Sequence, residues 1–199
     1  MEMATNQNNK EIIQKTILET SATLVALAKN TIEIEKIANA LLAAYKRGNK
    51  MVLFGNGGSA ADAQHLAAEL VGSYANRHRK ALPALALTTD TSALTAIGND
   101  YSYEEVFSRQ VEALVNAGDV VIGLSTSGNS KNVIRAMRAA KEKKAITVGF
   151  TGETGGELKA ECDFCFCAPS KITSHIQECH ITVGHILCGL VEQNMAGAA

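Results

Sequence analysis

Gly55-Asn56-Gly57-Gly58-Ser59-Ala60-Ala61-Asp62-Ala63-Gln64-His65-Leu66-Ala67-Ala68-Glu69 decides how this chain is read. The apolar run before it, Met51-Val52-Leu53-Phe54, has the form of a buried strand. The glycines that follow permit a tight turn whose backbone N–H groups can approach an anion, and Ser59 stands near the start of the next helix. From Ala60 the alanine-rich sequence favours helix. His65 and Glu69, four residues apart, therefore project from one face about a turn further on. Such a segment puts an anion at one end of a site and chemistry at the other.

Further apolar runs at 83–88, 119–124, 145–150 and 164–167 follow, all but the last separated from the next by a helix-length segment. The alternation predicts an α/β fold, a doubly wound sheet of about five parallel strands flanked by helices. Ligands of such sheets sit beyond the carboxyl ends of the strands, where the strand order reverses. There the chain places Gly55 to Ser59, then Ser125-Thr126-Ser127-Gly128-Asn129-Ser130, which opens a helix over 130–143, and the turn Thr151 to Gly156. Residues 9–47 read as N-terminal helices, with Ile12, Ile13, Ile17, Leu18, Ile32, Ile34, Ile37, Ala38, Leu41 and Leu42 at helical spacing. With no internal repeat and no linker, 1–199 is expected to be one domain, helices over 1–47 and an α/β sandwich with a long C-terminal helix over 48–199.

A chain of 199 residues can bury a full core, and 46% hydrophobic with 20% charged residues is ordinary for a globular protein. A net charge of -1 argues against a nucleic-acid partner, which needs a concentrated basic face. The one basic run, Arg77-His78-Arg79-Lys80, reads as a solvated loop. Residues 1–15 are polar and amidated and no apolar stretch reaches membrane-spanning length, so a cytoplasmic protein without a membrane partner is expected. All five cysteines fall in the last quarter, and an odd count argues for reduced thiols. Cys162-Asp163-Phe164-Cys165 matches C-x-x-C, but a structural zinc site would want a second matched pair. Cys165 and Cys167 alternate as inward positions of a strand would, and are read as buried small hydrophobes.

The hydroxyls of Ser125, Thr126, Ser127 and Ser130 at a helix start suit a phosphate monoester, although serines also cap helices without binding anything. Two such loops at strand ends favour a sugar-phosphate site. Gly55-Asn56-Gly57-Gly58 is not a dinucleotide fingerprint, because Ala60 stands where the third glycine would be. His65 and Glu69 present an imidazole and a carboxylate to one metal or one substrate. The C-terminal segment sets Gln177, Glu178, His180 and His185 among apolar residues covering most of a helix. That helix should be buried against another subunit, and His180 reads as a core histidine with a backbone acceptor.

Taken in order, Gly55 to Glu69, Thr88 to Asp100, Ser125 to Ser130 and Ile176-Gln177-Glu178-Cys179-His180 through His185 closely resemble the phosphoheptose isomerases, built on the sugar isomerase (SIS) fold. The resemblance implies interconversion of sedoheptulose 7-phosphate and D-glycero-D-manno-heptose 7-phosphate, the entry to the ADP- or GDP-heptoses of lipopolysaccharide or other surface glycans. It implies a homotetramer with active sites near subunit boundaries and one zinc per subunit. Carried over position by position, the metal ligands fall on His65, Glu69, Gln177 and His185. Substrate contacts fall on Asn56, Gly57, Gly58, Ser59, Glu69, Asn99, Asp100, Ser125, Thr126, Ser127, Ser130 and Gln177. Glu69 is the expected base and His185 the expected acid of an enediolate proton transfer. Where many relatives have arginine before the Ile-Gln-Glu motif this chain has His175, preceded by Ser174. Two other readings compete: a non-catalytic SIS protein binding a partner such as the replication initiator DnaA, and a sugar-phosphate sensor. Finally, Gln177 and His185 are ~12 Å apart along a helix. One helix would strain to bring both to one ion, so His185 or the His65/Glu69 pair is expected from a neighbouring chain.

Overall fold

Five apolar runs form five parallel strands; the central strands Met51–Gly55 and Val120–Leu124 are buried at every residue, and the runs carry residues that suit a pleated surface. The computed structural model describes residues 2–195. Two N-terminal helices, α1 (Glu2–Leu27) and α2 (Thr31–Lys46), lead into β1 (Met51–Gly55), α3 (Gly58–Val71) and β2 (Ala84–Ala86). Then come α4 (Thr91–Asp100), α5 (Ser108–Leu114), β3 (Val120–Leu124), α6 (Lys131–Glu142), β4 (Ile146–Thr151), β5 (Phe164–Cys167) and α7 (Thr173–Met195). The first helix starts before residue 9, so the polar, amidated N-terminal stretch is helical too.

The strand order is β2-β1-β3-β4-β5, every pair parallel. After β2 the chain crosses back to pair β3 on the other side of β1, so the order reverses between β1 and β3. Alternate residues divide the core. Met51, Leu53, Ile122, Leu124, Val148 and Phe150 face α2, α3 and α7, while Val52, Phe54 and Val121 face α5 and α6. The crevice at the switch point is flanked by the two loops singled out in the sequence.

Two expectations are corrected. Arg79 is not a solvated loop residue: its side chain is 2% exposed and its Nε donates to Glu192 Oε2 at 2.7 Å. Glu192 also accepts backbone N–H bonds from Tyr74, Ala75 and Asn76. A run of like charges is solvated only while no buried counter-charge is in reach, and α7 supplies one from more than a hundred residues away. Cys165 and Cys167 are not the inward positions of β5, since Phe166 is the fully buried residue and the two cysteines are half-buried. The strand lies at the sheet edge, paired with β4 on one side, and Cys165 and Cys167 line a cavity. Within the chain, α7 buries Ile176, Cys179, Val183, Leu187 and Val191 against α1, α2 and α3, while Ile186 stays exposed. His180 does serve the core: its Nε2 pairs with the Thr151 carbonyl at 3.0 Å, and burial pushes its pKa down to about 4.

Candidate active site

The turn after β1 requires glycine. Gly57 has φ 55, the left-handed region where a side chain is strained, and it precedes the first residue of α3. A Cβ on Gly58 would lie 2.9 Å from Gln177 Nε2, so the Gln177 amide rests against the start of α3. Asn56 and Asn132 exchange two amide hydrogen bonds of 2.9 Å, and Tyr103 donates to Asn56 Oδ1 at 3.1 Å. That reciprocal pair ties the β1 loop to the second residue of α6 and holds the crevice at a fixed width.

In the second loop Ser125 and Ser130 share a hydroxyl hydrogen bond of 2.9 Å, so the Ser130 hydroxyl does not cap α6. Ser127 Oγ accepts from the Asn129 backbone, and Gly128 at φ 68 lies so close to Gly155 that a Cβ would strike its carbonyl. Thr126 and Ser127 line a cavity of about 150 Å³ together with Gly152, Glu153, Thr154, Ser170, Lys171 and Ile176. Ile176 neighbours Gln177, so this cavity opens beside the start of α7.

Two turns along α3, His65 and Glu69 do what their spacing requires, with Nε2 and Oε1 3.2 Å apart. His185 joins them from the same chain: its Nε2 lies 3.0 Å from His65 Nε2. Ligand atoms of His65, Glu69 and His185 all fall within 4.8 Å of one another. Two imidazole nitrogens and a carboxylate oxygen so close together fit a metal ion of the kind that takes nitrogen and oxygen ligands. This overturns the expectation that His185 or the His65/Glu69 pair must come from a neighbour. The reason lies in helix register. Gln177 meets Gly58, His185 meets His65, and a Cβ on Gly184 would strike Leu66, so α3 and α7 run side by side in the same direction. Each residue of α7 therefore meets a different turn of α3, and Gln177 sits at the anion loop, about two turns before His65.

Sequence reasoning missed Asp62, although its i, i+3 spacing to His65 puts it on the same face of α3. Its Oδ2 is buried with no hydrogen-bond partner, and burial raises the pKa of the carboxyl against the opposing pull of His65 and His185. It also missed Tyr74, whose ring lies 5.8 Å from that of His185, because nothing local links a loop residue to a helix so far along the chain. Asn99 and Asp100 stand exposed at the end of α4, where the Asn99 amide donates to the Asp100 carboxylate at 2.8 Å. Ser174 is exposed and His175 buried at the start of α7.

With this geometry in view, known proteins supply the decisive comparison. The SIS domain pattern matches residues 17–152. A phosphoheptose isomerase of Akkermansia muciniphila is 52% identical over 187 residues, 94% of this chain and 98% of its own. One of Aquifex aeolicus is 57% identical over 161 residues, 81% of this chain and 84% of its own. This chain belongs to the phosphoheptose isomerase family of SIS-domain proteins. The solved phosphoheptose isomerase of Neisseria gonorrhoeae, 42% identical, superposes with a TM-score of 0.87 over 92% of this chain and 98% of its own. Among the described residues no helix is long and apolar enough to cross a membrane.

Proposed function

We propose that this protein is an aldose–ketose isomerase interconverting sedoheptulose 7-phosphate and D-glycero-D-manno-heptose 7-phosphate, the first step toward activated heptoses for lipopolysaccharide or other surface glycans. The observation that carries the reading is the convergence of Glu69 with His65 and His185 beside two anion-type loops at the switch point. Glu69 takes the proton from C1 of the ketose and returns it to C2 of the enediolate. His185 moves a proton between the two neighbouring oxygens, so the product holds as many protons as the substrate. Thr126, Ser127 and the backbone of Ser125 to Ser130 hold the distant phosphate, which fixes the reacting carbons by proximity. Asn56, Gly57, Gly58, Ser59, Asn99 and Asp100 orient the sugar hydroxyls.

His65, Glu69 and His185 are the residues that would hold one zinc per subunit, and the ion would supply Lewis-acid polarisation of the sugar's carbonyl and hydroxyl oxygens; Gln177, expected as a fourth ligand, lies instead at Gly58, about two turns away, where it faces the anion loop. Glu69 is only partly buried, its side chain 23% exposed, which leaves it room to turn from a ligand position toward the substrate carbon. A homotetramer is supported by α1, where Ile12, Ile13, Ile17, Leu18 and Val25 are 54–72% exposed, more apolar surface than a helix normally leaves in water. The test is to incubate purified protein with sedoheptulose 7-phosphate and follow the sugar by NMR, with and without a chelator. Aldose signals should appear, vanish with chelator and return with zinc. No conversion in the zinc-loaded protein would overturn the activity, and conversion indifferent to chelator would remove the metal.

A further inference from the structure

The C-x-x-C motif belongs to no part of the site described above: Cys162 packs against the edge of the core, and both cysteines of the motif line a cavity. Cys179 and Cys188 are buried, whereas Cys162, Cys165 and Cys167 are half-buried around a cavity of about 390 Å³ that Glu33, Lys159 and Asp163 also line. We infer that Cys162, Cys165 and Cys167 form a second metal site, for a thiolate-seeking divalent ion, beside β5 and separate from the His65/Glu69/His185 cluster.

The sulfurs of Cys165 and Cys167 lie 3.8 Å apart. Two thiolates bound tetrahedrally to one zinc-like ion, each with a bond of about 2.3 Å, stand about 3.8 Å from each other. A disulfide suits the pair poorly: residues two apart on a strand have Cα atoms about 6.5–7 Å apart, at the limit of what that bond spans. An ion between the sulfurs needs no change in the strand. Cys162 comes from the turn before β5, and its sulfur converges with that of Cys165 on Gly149, 3.1 and 3.4 Å from where a Cβ would be. Glycine at that point of β4 keeps the space for both sulfurs open. Among the described residues only His65, Glu69 and His185 already converge as a ligand set, so Cys162 turns toward the pair as the ion binds.

The sulfurs of Cys165 and Cys167 are in hydrogen-bond contact with each other, and the Thr151 hydroxyl donates to Cys167 Sγ at 3.4 Å. Binding releases the protons of the ligating thiols to solvent. Asp163 Oδ2 is already held by the Thr147 backbone and hydroxyl, at 2.8 and 2.9 Å, so the fourth position faces the cavity.

Cadmium is the probe, since its thiolate complexes absorb in the ultraviolet and its imidazole and carboxylate complexes do not. Titrated into the full-length reduced protein, Cd(II) should produce a thiolate charge-transfer band that saturates at one equivalent per chain. The band should persist when His65 and His185 are replaced and disappear in the Cys165→Ser/Cys167→Ser double variant. Alkylation of the unaltered protein, read residue by residue by mass spectrometry, gives a check that depends on no variant's folding. At free Cd(II) ten times the dissociation constant, Cys165 and Cys167 should react on the order of tenfold more slowly. Absence of the band, its survival in the double cysteine variant, or unchanged alkylation rates at Cys165 and Cys167 would overturn the assignment.

Discussion

Replacing Glu192 by glutamine tests whether α7 anchors the loop after α3. The carboxylate takes four donors: Ala75 N and Asn76 N on Oε1 at 2.8 Å each, Tyr74 N on Oε2 at 3.0 Å and Arg79 Nε on Oε2 at 2.7 Å. Glutamine keeps one acceptor oxygen and turns an NH2 toward the other two donors. Arg79 retains the Glu69 and Lys80 carbonyls, but its charge loses its buried partner. Breaking a buried ion pair from one side costs about 3–5 kcal/mol, a large part of a domain's total stability. At neutral pH the Glu192→Gln variant should therefore melt on the order of 10 °C lower at fixed protein concentration. The pH dependence gives an independent check. Burial by itself would raise the Glu192 pKa, but the Arg79 hydrogen bond and the three backbone donors outweigh it and bring it to about 2, against the ordinary 4.5 of a glutamate in the unfolded chain. A lowered folded pKa stabilises fully above about pH 4.5 and is lost as the pH falls toward 2. Over that window the unaltered protein should lose about 1.4 kcal/mol per pH unit more than the variant, read by denaturant titration. Equal melting temperatures at pH 7, or equal acid slopes, would refute the reasoning.

Glu69→Gln and His185→Gln should each lower turnover by about two to four orders of magnitude with the fold intact by circular dichroism, and near-normal turnover would remove that residue from the proton transfers. In the phosphate loop, the Thr126→Ala/Ser127→Ala double substitution should raise KM at least about tenfold, since a hydrogen bond to a charged group contributes about 1.5–3 kcal/mol. Inorganic phosphate should compete with substrate in the unaltered protein and much less in the variant; an unchanged KM would leave the loop a helix start and nothing more.

Strands, their parallel pairing and the two loops were legible because each depends on short stretches: apolar runs of strand length, glycines at a turn, hydroxyls before a helix. The i, i+4 contact of His65 and Glu69 was legible for the same reason, as helix geometry alone brings it about. His180 could be placed because a polar group on so apolar a helix must find a partner, and the Thr151 carbonyl is that partner. Beyond those spans the sequence was silent or misleading. Arg79 looked solvated because Glu192 lies on another helix, and Cys165 and Cys167 looked buried because alternation does not say which face of an edge strand is covered.

By itself, then, the sequence determined the secondary structure, the α/β class and the residue types of the site, all of which follow from local propensity and burial period. Tertiary structure decided which of those residues meet. His185 reaches His65 because α3 and α7 pack in parallel where Gly184 lets Leu66 come close, and Gln177 consequently lands at Gly58 rather than beside His185. Asn56 finds Asn132 because the sheet order places β1 next to β3. Contacts of that kind depend on helix register and strand order, which the packing of the whole core selects and no short stretch of chain encodes.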